Sequence, residues 1–176
     1  MREPASTRAD RGVQVAAREG QVPGPSPIAQ APQAEPACPA TGDGVTVLAD
    51  RLESGRVTFD LYSGTVAPDS LPIVDAVAAR LRGCADLQVE IQVHTDTVRM
   101  ASFNARQSQR VAEVLRDRLV ADGVDVSRLA ACGYGESRPV SNAVDWTSRS
   151  ANMRVEWHTL ATPASGYVCP SVDRSP

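Results

Sequence analysis

A chain of 176 residues with 42% apolar but only 4% aromatic side chains can bury one aliphatic core with flanking segments to spare. Its 18 Lys plus Arg against 21 Asp plus Glu leave a formal charge of -3, so no basic field exists to neutralise phosphates and nucleic acid is not an expected partner. No run approaches the roughly 18 consecutive apolar residues of a membrane span, and Met1-Arg2-Glu3-Pro4-Ala5-Ser6 lacks the basic-then-apolar opening of a secretory signal. The chain is therefore expected to be either cytoplasmic or a mature or truncated piece, and its cysteines favour the second.

Residues 1–37 carry a charged start and then a Pro, Ala and Gln-rich run, Val22-Pro23-Gly24-Pro25-Ser26-Pro27 through Glu35-Pro36. Too few large apolar side chains are present to offset ordering entropy, which predicts a disordered linker. Val45, Leu48 and Leu52 then fall at helical spacing and predict a short helix, broken at Gly55, before Arg56-Val57-Thr58-Phe59-Asp60 alternates as a first strand. Asp69-Ser70 offers an N-cap with Pro72 in the first turn of a helix whose stripe is Val74, Val77, Ala78 and Leu81 and whose end is Gly83. Leu87, Val89, Ile91 and Val93 alternate with Gln88, Glu90 and Gln92, the pattern of a half-buried strand.

A second helix is expected over residues 102–122, with Val111, Leu115 and Leu119 on one face and Gly123 as its stop. Leu129-Ala130-Ala131-Cys132 reads as a third strand and Arg154-Val155-Glu156-Trp157-His158 as a last one, with Trp146 in the loop between them. Residues 161–176, richer in Pro, Ser and Gly, read as a tail. Strands alternating with helices imply an α/β or α+β sandwich.

Cys38, Cys84, Cys132 and Cys169 contain no Cys-x-x-Cys pair and have only His94 and His158 as companions, which is poor zinc-site spacing. Neither a metal nor a cofactor is expected. An even count suits disulfides in an oxidising compartment, with three connectivities open, while Cys132, inside an apolar segment, fits a buried free thiol equally well.

Four ordered blocks carry a resemblance. Ile91-Gln92-Val93-His94-Thr95-Asp96, followed by Asn104, Ser108, Arg110 and Ala112, is the first; Arg56-Val57-Thr58-Phe59 precedes it. Cys132-Gly133-Tyr134-Gly135-Glu136-Ser137-Arg138-Pro139 and Asn152-Met153-Arg154-Val155-Glu156 follow. Together they resemble the OmpA-like peptidoglycan-binding domains, of the OmpA C-terminal, Pal and MotB type, over most of residues 45–158. The resemblance implies an α+β fold, a β-α-β-α-β-β sandwich with helices packed on a small mixed sheet, spanning residues 38–160. It also implies a Cys38–Cys84 disulfide, a periplasmic location at the outer membrane, and non-covalent binding of peptidoglycan through the diaminopimelate of its stem peptide.

Diaminopimelate ends in an ammonium and a carboxylate on one carbon, so its pocket needs an anion beside a cation or a set of N–H donors. By resemblance Asp96 takes the ammonium, and the start of the second helix offers N–H groups to the carboxylate. The family's arginine falls on Val111, which leaves Arg110 or Arg154 as substitute cations. The implied ligand set is Asp96, Asn104, Arg110 and Arg154, supported by His94, Thr95, Ser108 and Arg149. Val93, Arg99, Gln107 and Met153 also depart from the family pattern. The alternative is a module that has lost strong wall binding and serves as a structural or protein-interaction domain with an envelope partner. A cell-wall enzyme has least support, because no nucleophile with an orienting partner is apparent.

Overall fold

The computed structural model describes Cys38 and residues 41–42, 45–47 and 51–170. These all belong to one compact unit, Ala34–Pro176. The expected linker over residues 1–37 lies outside the described residues.

Six strands form one sheet: β1 (Thr41–Gly42), β2 (Val45–Val47), β3 (Arg51–Glu53), β6 (Gln88–His94), β7 (Leu129–Gly135) and β8 (Arg154–Leu160). Their order is β1-β2-β3-β8-β6-β7, and β4 (Phe59–Asp60) with β5 (Thr65–Val66) makes a separate hairpin. The helices are α1 (Leu71–Gly83), α2 (Ala101–Ala121) and α3 (Trp146–Asn152). This is an α+β fold on a mixed sheet. β6 pairs parallel with β7 through the α2 crossover and antiparallel with β8, with Ile91 opposite Trp157.

The helix expected over Val45 to Leu52 is instead two antiparallel strands, β2 and β3, paired at Thr46 with Glu53. Val45 and Leu52 are both buried, so their apolar character is satisfied by a sheet and not by a helix stripe. The first strand is likewise shorter than expected, since only its Phe59–Asp60 end pairs. Ser70 stands at the N-cap of α1, but its hydroxyl does not cap; it accepts from Thr58 N at 2.9 Å and ties the helix start to the segment before β4.

Val89, Ile91 and Val93 are fully buried against Val74, Val77, Val111, Leu115 and Leu119 of α1 and α2. Strand alternation puts Glu90, Gln92 and His94 on the opposite face. These too are buried, at 3%, 6% and 1% exposure, where a half-buried strand predicts solvent. The cover on that side comes from residues 161–170, expected as a tail. Ala164 N donates to Gln88 Oε1 at 3.1 Å, Tyr167 donates to Glu90 Oε2 at 3.2 Å, and Cys169 is disulfide-bonded to Cys132 on β7. Glu90 also accepts from the Tyr134 hydroxyl at 2.6 Å, so this strand carboxylate is held by two phenols under a covalent strap.

The expected Cys38–Cys84 disulfide is present, and the cysteines form a second pair, Cys132–Cys169, in place of a free thiol at position 132. Helix α2 lies so close on β7 that a Cβ built on Gly133 would stand 2.1 Å from Gln109 N. Only glycine allows that approach. Gln109 clamps the contact, its Oε1 accepting from Gly133 N at 2.9 Å and its Nε2 donating to Ala131 O at 3.1 Å.

Candidate functional site

Where β6 ends, the chain turns across the top of the sheet and is fixed by backbone bonds before it reaches Asp96. Thr95 N donates to Gly135 O at 2.8 Å, and the Thr95 hydroxyl donates to Asp96 O at 3.0 Å. Asn104, in the first turn of α2 and fully buried, donates from Nδ2 to the same Asp96 carbonyl at 3.0 Å and to Glu136 Oε2 at 2.6 Å. Ser108, one turn on, accepts from Gly135 N at 2.9 Å and donates to Ala105 O at 3.1 Å. Asn104 and Ser108 therefore join the Asp96 turn, α2 and the Gly-Tyr-Gly segment into one frame.

The Asp96 side chain is 8% exposed and meets Arg149 of α3, whose Nε and Nη2 both lie 3.0 Å from Oδ2. Its other oxygen, Oδ1, accepts one long bond from Val98 N at 3.3 Å. Helix α3 was not visible in the sequence as a helix. It is held from both ends by side chains: Asp145 caps it by accepting from Ser148 N at 3.0 Å, a bond that keeps the Asp145 carboxyl below its ordinary value. At the other end Asn152 accepts from Val140 N and Ser141 N and donates to Ser141 O. Arg56 donates from Nη2 to Ser150 O, to the Ser150 hydroxyl and to Met153 O, closing off carbonyls at the helix C-terminus.

These residues surround a cleft of about 220 Å³. Phe59, Met153 and Trp146 supply its apolar wall, with Trp146 77% exposed at the rim. Asp96, Arg149, Arg56, Thr58 and Ser150 supply the polar one. Arg56 was not singled out from sequence as a site residue, since nothing in the alternation of residues 56–60 distinguishes a cleft charge from an exposed one.

The other sequence candidates lie elsewhere. Arg110 is exposed and runs alongside Gly64 in the β4–β5 turn, where a Cβ on that glycine would stand 3.1 Å from its Cδ. Arg154 lies opposite His94 on the strap side of the sheet, donating to Glu156 Oε1 at 2.6 Å and Arg138 O at 3.1 Å. Val111, at the family's arginine position, is fully buried in the apolar core.

His94 is sealed beneath the strap side, its ring stacked on Tyr134 with centroids 5.3 Å apart. Neither ring nitrogen has a hydrogen-bond partner among the described residues, and Glu156 Oε2 is 3.9 Å away, beyond bonding distance. Burial, and then the Arg154 charge, lower its pKa to about 4, so the ring is neutral at pH 7. Burial pushes Glu156 the other way, but hydrogen bonds from Arg154 and His158 outweigh it and hold the carboxyl at about 2.

The sequence matches the OmpA family over residues 58–153, more than half of the chain and every residue of the cleft except Arg56. The chain belongs to the OmpA family. Among its relatives, outer membrane porin F of Pseudomonas fluorescens is 39% identical over 100 residues, 57% of this chain and 31% of that protein. The peptidoglycan-binding protein ArfA of Mycobacterium tuberculosis is 29% identical over 126 residues, 70% of this chain and 39% of that protein. The chain thus spans about a third of the length of these relatives. Among solved structures, the peptidoglycan-associated lipoprotein of Burkholderia pseudomallei superposes with a TM-score of 0.56 at 26% identity, covering 60% of this chain and 89% of that one. The cell wall anchor of the T6SS from Pseudomonas aeruginosa gives 0.55 at 27% identity, covering 67% and 87%.

Proposed function

We propose that this OmpA-family domain holds peptidoglycan non-covalently by the diaminopimelate of its stem peptide. The observation that carries the reading is the Asp96–Arg149 pair at the cleft, a carboxylate and a guanidinium side by side. An ammonium and a carboxylate on one carbon are its mirror image in charge. Asp96 Oδ1, which holds only the long Val98 contact, takes the ammonium. Arg149 commits two donors to Asp96 and has three more for the ligand carboxylate. Phe59 and Met153 cover the methylenes. In this reading Arg149, not Val111, Arg110 or Arg154, is the cation, and Asn104, Ser108 and Thr95 position Asp96 without touching ligand.

The names of relatives support the wall as partner, among them a peptidoglycan-binding protein, a peptidoglycan-associated lipoprotein and a cell wall anchor. Two disulfides suit an oxidising compartment, and no described helix is long and apolar enough to cross a membrane. The disulfides and the envelope relatives support a periplasmic domain that tethers an envelope protein to the wall. Our reading is of a binding role: His94, two residues before Asp96, is buried and neutral beneath the strap side and offers no base to the cleft.

One observation favours a protein-interaction module instead: one Asp96 oxygen, Oδ2, is already paired with Arg149 within the domain. Retention on purified sacculi separates the two. Wild type is expected on diaminopimelate-type sacculi and not on lysine-type ones, whose stem peptide keeps an ammonium but lacks the adjacent carboxylate. Arg149→Ala removes a charge-assisted contact and is expected to weaken retention about ten- to a hundredfold. Absence of wild-type retention on both sacculi overturns the binding reading, and equal retention on both overturns its ligand.

A further inference from the structure

The cleft holds two guanidiniums and one carboxylate, one more cation than a single zwitterion needs. Arg149 is half committed to Asp96. Among the described residues Arg56 has no carboxylate as a hydrogen-bond partner: its Nη2 donates to the Ser150 carbonyl and hydroxyl and to Met153 O, which set the guanidinium at the cleft wall. These acceptors share the two N–H groups of Nη2 and tie the guanidinium to the end of α3, while Nε and Nη1 keep their donors for a further partner. A fixed cation with spare donors, beside an ion pair that already matches a zwitterion, calls for a ligand bearing a second anion.

Resting on the diaminopimelate reading above, we propose that Arg56 binds a second carboxylate of the stem peptide, the α-carboxylate of the γ-linked D-glutamate that precedes diaminopimelate. That residue is joined to the chain through its side-chain carboxyl, so its α-carboxylate stays free. With the other diaminopimelate carboxyl joined in an amide bond to the next residue, the two neighbouring units offer two anions and one ammonium to two guanidiniums and one carboxylate. The consequence is a specificity: the domain distinguishes stem peptides whose D-glutamate is free from those in which it is amidated. Amidation removes the charge that Arg56 meets and leaves the diaminopimelate end intact.

The experiment is calorimetric titration of the whole chain with two synthetic tripeptides, N-acetyl-L-Ala-γ-D-Glu-diaminopimelate with the diaminopimelate carboxyl that continues the stem blocked as an amide, and the same peptide with the D-glutamate amidated as well, using wild type, Arg56→Gln and Arg56→Lys. Wild type is expected to bind the free tripeptide about tenfold more tightly than the amidated one. Arg56→Gln should bind both at the lower level, and Arg56→Lys, which keeps the charge, should still discriminate. Because Arg56 also supports the end of α3, thermal unfolding of each variant and the affinity of Arg56→Gln for the amidated tripeptide, expected at the wild-type level, test whether α3 still holds Arg149 in place. Equal wild-type affinity for the two tripeptides, or discrimination that survives in Arg56→Gln, overturns the role of Arg56 while the diaminopimelate reading stands. Failure of wild type to bind either tripeptide overturns both, and unchanged binding by Asp96→Ala overturns the diaminopimelate reading on its own.

Discussion

Replacing His94 with phenylalanine should flatten the acid limb of this protein's stability curve. In the folded chain the His94 pKa is lowered from 6.5 to about 4, burial being the largest cause and the Arg154, Arg138 and His158 charges acting in the same direction, against Glu156. The unfolded chain therefore binds a proton that the folded chain refuses. Stability from this source is complete above pH 6.5 and is lost as pH falls toward 4. The full effect is roughly 3 kcal/mol, of which about 2 kcal/mol has gone by pH 5. Glu156 acts in a separate window, because its pKa is lowered from 4.5 to about 2 and its contribution declines only below 4.5. Phenylalanine keeps an aromatic ring against Tyr134, and no protein hydrogen bond to either His94 nitrogen is sacrificed. The variant should be close to wild type at pH 7. Urea unfolding at pH 7.5, 6 and 5 measures the difference. If both proteins lose the same stability between pH 7.5 and 5, the buried neutral histidine is not the cause.

Gly133→Ala must drive α2 off β7, since its Cβ would meet backbone atoms of Gln109 and Ser108; a loss of about 1 to 3 kcal/mol is expected in thermal unfolding, against little change for Gly83→Ala, whose Cβ meets nothing. Removing the Cys132–Cys169 bond with a double alanine variant opens a loop with a sequence separation of 37, and non-reducing denaturation should show a loss of roughly 4 kcal/mol if closure entropy dominates. Asn104→Asp sets a carboxylate where the amide donates to Glu136 and the Asp96 carbonyl. Stability should fall by about 2 kcal/mol or more at pH 7 and partly recover in acid, and an unchanged midpoint at pH 7 would remove Asn104 from the frame.

The helix α2 and the strands β6 and β8 were legible in sequence because each carries a periodicity, whereas β7 was legible only as the short apolar run Leu129-Ala130-Ala131-Cys132 and continues to Gly135. Three features were not. Val45, Leu48 and Leu52 fit a helix stripe by spacing, but two short strands bury Val45 and Leu52 just as well. Trp146–Asn152 has no apolar stripe, and α3 exists through its Asp145 cap, its Asn152 anchor and Arg56, which approaches from 94 positions away. The polar alternation of Glu90, Gln92 and His94 predicted water, because their cover comes from residues 161–170 across a covalent link that composition cannot assign. At the site, Asp96 was legible from its block. Its partner was read as support, since the pairing depends on where α3 docks 53 residues later.

The two disulfides also give the domain a path for force. The chain is stapled at Cys38 to Cys84, just before β6, and at Cys169 to Cys132, within β7. Tension applied from outside the two bridges passes through them and is felt between Cys84 and Cys132. β3, the β4–β5 hairpin, α1, α3 and β8 are bypassed. The stretched interval holds β6, α2 and most of β7, two parallel neighbours pulled in shear with α2 pinned across them, and it carries Asp96, Asn104 and Ser108. Arg149 and Arg56, on the opposite side of the cleft, lie on segments that bear no load. A pull strong enough to be transmitted would therefore strain the cleft between its loaded and unloaded walls, making the Asp96–Arg149 contact the place where mechanical stress reaches the cleft.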